Sequence, residues 1–310
     1  MARDLYPLGI LENMTDQYTL TDPTTMYGDI ATTAQYQKGP GLDAELDNKA
    51  DLGEKTYRGS GRLTGRKALV TGGDSGIGAA TVIAFAREGA DVVISYLPEE
   101  EQDAQRIKAL VEDAGRTAIL LPGDLTKETY CTSLVQAAVK ELGGLDIVVS
   151  NGGKQQHVEQ LADLSTEQFD ETFKTNVYAL FWIVKAALPH LSPGSTIIGT
   201  SSIQAYQPSP NLLDYATTKA AINTLCKGLA QQLGPKGIRV NVVAPGPVWT
   251  PLQTAGGQPQ EELPEFGQST PLGRAGQPAD LASAFVYLAS AESSFVSGET
   301  LHVNGGMPTP

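Results

Sequence analysis

Lys67-Ala-Leu-Val-Thr-Gly-Gly-Asp-Ser-Gly-Ile-Gly78 is the stretch on which the reading of this chain turns. A short apolar run ends at Thr71, glycines follow at Gly72, Gly76 and Gly78, and a helical pattern begins at Ala79. That order predicts a strand, a tight turn and a helix start. Glycines in such a turn can take φ > 0 and let backbone approach a ligand closely. The N–H groups at the helix start and the aligned peptide dipoles favour an anion such as a dinucleotide pyrophosphate. The spacing is Gly-x-x-x-Gly-x-Gly rather than Gly-x-Gly-x-x-Gly, and a glycine-rich turn can also be a plain connection. Its meaning depends on its surroundings.

Outward from the turn, strand-like runs recur at Ala68–Thr71, Asp91–Tyr96, Thr117–Leu121, Asp146–Ser150, Ser195–Thr200, Arg239–Ala244 and Thr300–Val303. Helical patterns lie between them at Ile77–Glu88, Glu99–Ala114, Lys127–Leu142, Thr166–Leu191, Leu212–Leu233 and Ala279–Ser290. The alternation predicts an α/β fold, a Rossmann-type doubly wound parallel sheet of seven strands with helices on both faces. Ile147-Val-Val149 and Val240 to Val243 are apolar at both parities, as strands covered on both faces should be. Residues 61–310 form this domain, and ligands are expected beyond the carboxyl ends of its strands. Residues 1–60 show no apolar period and are rich in Thr, Asp, Gly and Pro, with tyrosines at Tyr6, Tyr18, Tyr27, Tyr36 and Tyr57. They read as an irregular arm that packs on its own core or on a neighbouring subunit. Pro245 to Gly276 is also aperiodic, and residues 247–276 are expected to form a substrate lid.

The 310 residues carry a net charge of −13, which argues against nucleic acid and against an anionic membrane surface as partners. With 41% hydrophobic and 18% charged residues, a sizeable core is expected. The cysteines, Cys131 and Cys226, are far apart within helical patterns and read as buried apolar residues. His157, His190 and His302 lack metal-ligand spacing, so no metal is expected. The N-terminus lacks a signal-peptide pattern, and no apolar stretch approaches membrane-spanning length; a soluble, cytoplasmic protein is the expectation.

A second constellation is Tyr215-Ala-Thr-Thr-Lys219 at the start of a long helical pattern. The i, i+4 spacing puts both side chains on one face. An ammonium beside a phenol favours the phenolate and is expected to lower the Tyr215 pKa, suiting it to exchange a proton with a carbonyl or alcohol oxygen. Such pairs arise readily by chance among eleven tyrosines, but this one follows a strand ending in Ser201-Ser202.

With these motifs in order, residues Gly61 to Gly306 resemble the short-chain dehydrogenase/reductase family. The turn Thr71 to Gly78 is similar to the family's cofactor turn, with Gly72, Asp74, Ser75, Gly76, Ile77 and Gly78 as candidate contacts. By the same resemblance Asp124 and Leu125 would lie at the adenine, and Asn151 and Gly152 along the adenosine side. Ser150-Asn-Gly-Gly153 departs from the family's Asn-Asn-Ala-Gly segment. Pro245, Gly246, Val248 and Thr250 match the segment that holds the nicotinamide carboxamide, and Leu301 to Gly306 the last strand. Asn176, Ser202, Tyr215 and Lys219 match the catalytic tetrad: Tyr215 the acid/base, Lys219 its partner and a ribose contact, Ser202 an orienting donor, Asn176 a holder of a water leading to solvent. Gly-Glu-Lys-Thr-Tyr57, Gly-Gly-Asp-Ser-Gly76 and Ser-Ile-Gln-Ala-Tyr-Gln-Pro208 resemble an N-terminally extended subfamily of bacterial aldehyde reductases and glucose/ribitol dehydrogenase-like proteins.

The resemblance implies an NAD(P)-dependent oxidoreductase acting on a small carbonyl or alcohol, assembled as a homotetramer through Thr166–Leu191 and Leu212–Leu233. A biosynthetic relative with a narrow substrate and a non-catalytic cofactor-binding regulator are the alternatives. Neutral Tyr96 stands where an NAD-selecting Asp would end the second strand, so NADP(H) is the favoured cofactor and NAD(H) the alternative. Glu99 to Glu101 lie slightly further on and would disfavour a 2′-phosphate if they reached it. Candidate substrate residues are Gln155, Gln204, Tyr206 and Trp249, with His157 an ordinary loop residue or a further pocket member.

Overall fold

Seven strands pair in parallel in the order β3-β2-β1-β4-β5-β6-β7. They are β1 (Lys67–Thr71), β2 (Asp91–Tyr96), β3 (Ala118–Pro122), β4 (Ile147–Ser150), β5 (Thr196–Thr200), β6 (Arg239–Pro245) and β7 (Thr300–Val303). This is a computed structural model, and it describes residues 16–309. Each expected strand is present, with ends moved by at most a residue or so. β1 pairs with both β2 and β4, so the strand order reverses there and opens a crevice beyond the carboxyl ends.

Two apolar cores sandwich the sheet because every central strand is buried on both faces. On one face α1 (Gly76–Arg87), α2 (Glu101–Asp113) and α7 (Pro278–Ala289) pack around Phe85, Ile107 and Phe285. On the other, α3 (Glu128–Leu142), α5 (Ala179–Ala187) and α6 (Leu213–Leu233) pack around Leu134, Ile183 and Leu233. Cys131 and Cys226 are buried there as free thiols, and burial raises each to about 12.

The helix expected over Thr166–Leu191 is not continuous. α4 (Thr166–Phe173) passes into a π turn, Lys174–Tyr178, before α5. The cause is tertiary: Asn176, inside that turn, is tied to the loop after β4, and π turns of this kind gather at functional sites.

Residues 16–66 contain no strand and no α-helix, only a 3₁₀ turn at Asp43–Glu45. Tyr6 and the N-terminal segment weighed for a signal peptide lie outside the described residues. The rest of the arm packs on its own domain. Leu46, Leu52 and Tyr57 are buried; Tyr57 and Ser60 reach Glu88 at the end of α1. No helix among the described residues is long and apolar enough to cross a membrane.

Candidate active site

One cavity of about 1230 Å³ lies beyond the carboxyl ends of β1, β2, β4, β5 and β6. Its floor is the turn after β1. Gly76 has φ +49°, which an L side chain rarely adopts. A Cβ at Gly78 would lie 1.8 Å from the Gly72 carbonyl oxygen, so glycine lets α1 press against the strand end. Gly72, Asp74, Ser75, Gly76 and Ile77 line the cavity; Gly78 lies behind them as packing. Tyr96, Asp124, Leu125, Asn151, Gly152, Pro245, Gly246, Val248 and Thr250 complete the expected cofactor side.

Ser150-Asn-Gly-Gly153 keeps this floor bonded despite its unusual sequence. The Asn151 and Gly152 N–H groups donate to Thr71 Oγ1 at 3.0 and 3.1 Å. Asn151 Nδ2 donates to the Gly72 carbonyl (3.2 Å), and its Oδ1 accepts from Thr200 Oγ1 (3.4 Å). One Asn thus ties the ends of β1, β4 and β5 together.

Ser202, Tyr215 and Lys219 line the same cavity, and all three are buried. Tyr215 is held in the first turn of α6, where Asp214 Oδ1 accepts its N–H at 2.8 Å. Asp214 Oδ2 accepts from Thr172 Oγ1 at 2.7 Å, locking α6 to α4. The Lys219 ammonium sits 5.2 Å from the Tyr215 ring centroid and donates to the Thr200 carbonyl at 2.9 Å. The expected lowering of the phenol is not met in this geometry. Burial pushes Tyr215 up to about 12, with Ser202 pulling the other way. Burial also pushes Lys219 down to about 8. Desolvation is the dominant influence on both groups.

Asn176 does not reach the cavity surface. Its Oδ1 accepts from Lys154 N (2.7 Å), while Nδ2 donates to Lys154 O (3.0 Å) and Thr218 Oγ1 (2.9 Å). Its amide is spent on positioning the β4 loop.

The substrate candidates divide. Gln155 and Gln204 line the cavity, as does His157. Tyr206 and Trp249 are corrections: neither is part of the lining. Tyr206 turns to Asn223 (3.0 Å) and packs edge-on against His302. Trp249 is fully buried with Leu46, Leu263 and Ala275, its Nε1 donating to Asn48 O at 2.8 Å. An apolar ring past a strand end found the core, not the pocket.

Sequence reasoning missed the arm as a wall of this cavity. Tyr36, Gly39, Pro40 and Gly41 line it, the Gln37 N–H donates to Thr254 O at 2.9 Å in the 247–276 segment, and Asp43 Oδ2 accepts the Gly76 N–H at 3.0 Å. Of Glu99 to Glu101, Glu100 is the one that lines the cavity.

Residues 72–308 match the sequence family described as Enoyl-(Acyl carrier protein) reductase. The chain is 60% identical over 287 residues to the oxidoreductase YghA of Escherichia coli, covering 93% of this chain and 98% of that one. It belongs to the short-chain dehydrogenase/reductase family. Another relative, NADPH-dependent aldehyde reductase 1 of Arabidopsis thaliana, is 38% identical over 273 residues, 86% of this chain and 94% of that one. A Burkholderia cenocepacia short-chain dehydrogenase solved in complex with NADP superposes with a TM-score of 0.73 at 35% identity, covering 79% of this chain and 98% of that one. As a short-chain dehydrogenase/reductase the chain is an oxidoreductase. Its catalytic-domain fold is that of the family, and the arm adds a wall to the cavity.

Proposed function

We propose that this short-chain dehydrogenase/reductase reduces a small aldehyde or ketone with a nicotinamide dinucleotide, Tyr215 protonating the carbonyl oxygen. The observation carrying the reading is a single cavity with the glycine turn at one end and Ser202, Tyr215 and Lys219 at the other. The turn suits a pyrophosphate because Gly76 and Ile77 line the cavity at the start of α1, where backbone N–H groups and the helix dipole favour an anion. A bound dinucleotide would supply the hydride. Tyr215 would give its proton to the developing alkoxide, and Ser202 would orient the same oxygen as a neutral donor. Lys219, with N–H groups beyond the one on Thr200, would hold the ribose and return a proton to the phenolate. The names of the Arabidopsis relative and the Burkholderia complex support NADP(H), with NAD(H) the alternative. Gln155, His157 and Gln204 beside Leu212, Phe266 and Met307 suit a polar carbonyl on an apolar or aromatic body.

The test is oxidation of NADPH and NADH, followed by absorbance, against aldehydes, ketones, sugars and quinones. Turnover on an aldehyde or ketone is expected. Dinucleotide binding without turnover on any compound would overturn the reductase reading. For assembly we propose a homotetramer: Phe169, Tyr178, Phe181 and Leu213, on α4, the π turn, α5 and α6, are 39–47% exposed and would be covered by a second copy. Light scattering should return a tetramer; a monomer would remove that reading.

A further inference from the structure

The end of the cavity beside β2 is built from carboxyl groups. Asp74, from the turn, and Glu100, from the 3₁₀ turn after β2, both line it together with Tyr96 and Leu97. In doubly wound folds this is where the adenosine ribose meets the protein. Asp74 is 1% exposed, and neither of its carboxylate oxygens has a hydrogen-bond partner among the described residues. A buried carboxyl left unsatisfied is costly unless a ligand or a proton meets it. Glu100 is less isolated, since it accepts the Leu97 N–H at 2.7 Å.

Among the described residues no cation balances this pair. The lysines that line the cavity are engaged elsewhere: Lys127 lies 3.7 Å from Asp124, Lys154 2.6 Å from Glu171 and Lys174 2.6 Å from Asp170, while Lys219 is in the proton-transfer group. Arg106, on α2, faces Asp43 (3.5 Å) and Glu54 (3.3 Å). The remaining charged or titratable neighbours are Asp43 from the arm, Glu99 and Asp103 around the start of α2, and Tyr96, whose hydroxyl donates to Glu101. These five acids do not converge as metal ligands would among the described residues.

We propose that Asp74 and Glu100 are the residues by which this chain distinguishes the two nicotinamide dinucleotides, reading the 2′ position of the adenosine ribose. The inference rests on the cofactor reading above and replaces the carboxylate absent at Tyr96 with two from other elements. While the pair holds a proton, it can donate to a 2′-hydroxyl or to a 2′-phosphate. Once both are ionised, it still accepts from a hydroxyl but repels a phosphate. Burial, then the charge of Glu100, raises Asp74 well above the carboxylate range; burial raises Glu100 in the same direction. Loss of the proton therefore falls at higher pH than for ordinary carboxylates.

The test is calorimetric dissociation constants of NADP⁺ and NAD⁺ for the full chain, Asp74→Asn, Glu100→Gln and the double variant, between about pH 6 and about pH 8.5. In the wild type the NADP⁺/NAD⁺ ratio of dissociation constants should rise by roughly tenfold across that range. In the double variant NADP⁺ should bind roughly tenfold tighter at the upper pH, leaving only the ligand phosphate's own ionisation in the profile. Asp74→Asn keeps the shape and removes a buried charge, so its Tm should not fall; Glu100→Gln supplies an independent arm should Asp74→Asn not fold. A ratio unchanged by the substitutions, with both dinucleotides still binding, overturns the proposal. If neither dinucleotide binds the wild type, the cofactor reading itself fails.

Discussion

Tyr215→Phe should lower kcat for carbonyl reduction by roughly 10²–10⁴-fold, the range a positioned general acid contributes. The ring stays in place at the start of α6, and the backbone contact to Asp214 is untouched. Tm and dinucleotide affinity should therefore stay within about a factor of three in binding, which separates a chemical loss from a structural one. The wild-type pH profile adds a second readout. Lys219 is an ammonium below about 8 and is neutral above it, because burial has lowered its pKa from 10.5. If the ammonium reprotonates and steadies Tyr215, kcat for reduction should be sustained below about 8 and fall as pH rises through it. Tyr215 itself, at about 12, stays protonated throughout that window. A profile flat through this range, or a Phe variant with substantial turnover, would break the assignment of both residues.

Much of this was legible in the chain because the relevant physics is local. Strands buried on both faces must be apolar at both parities, and Ile147 to Val149 or Val240 to Val243 announce that directly. Tyr215 and Lys219 declare themselves by helical spacing, and the turn by its glycines. What escaped depends on contacts between distant segments. The π turn at Lys174–Tyr178 leaves no periodic trace; it exists where Asn176 bonds the Lys154 backbone. Tyr206 and Trp249 follow strands just as Gln204 and Val248 do, yet the first faces Asn223 and the second is enclosed with Leu46 of the arm. The lowered phenol failed for a related reason: spacing reveals a neighbouring charge but not the burial that opposes it.

Deleting residues 1–58 should leave the chain largely insoluble or lower its Tm by about 10 °C or more. Leu52 and Tyr57 pack into the core cluster that contains Phe85 and Phe285, and Leu46 closes over Trp249. At about 2 kcal/mol for each buried side chain, their loss approaches 6 kcal/mol, within reach of the ~5–15 kcal/mol that holds a domain folded. The ordering cost recovered with the arm offsets part of this, but the holes remain in the domain left behind. Polar contacts are lost as well: Trp249 Nε1 loses Asn48 O, and the Gln277 side chain loses the Asp51 N–H. Glu88 loses one of its partners, Tyr57. It is buried and accepts from Tyr57 Oη (2.8 Å), Ser60 N (2.9 Å) and Arg62 Nη2 (2.7 Å). Burial opposes its charge, yet Arg62 and these donors hold it down to about 2, below its ordinary 4.5. Because the folded value is the lower one, its contribution is complete above about 4.5 and drains away as pH falls toward 2. Glu88→Gln should therefore melt below the wild type at neutral pH, with the gap narrowing in acid. A gap constant over that window would mean that the charge at Glu88 does not anchor the arm, and an unchanged Tm on deletion would mean that the arm is dispensable to the core it enters.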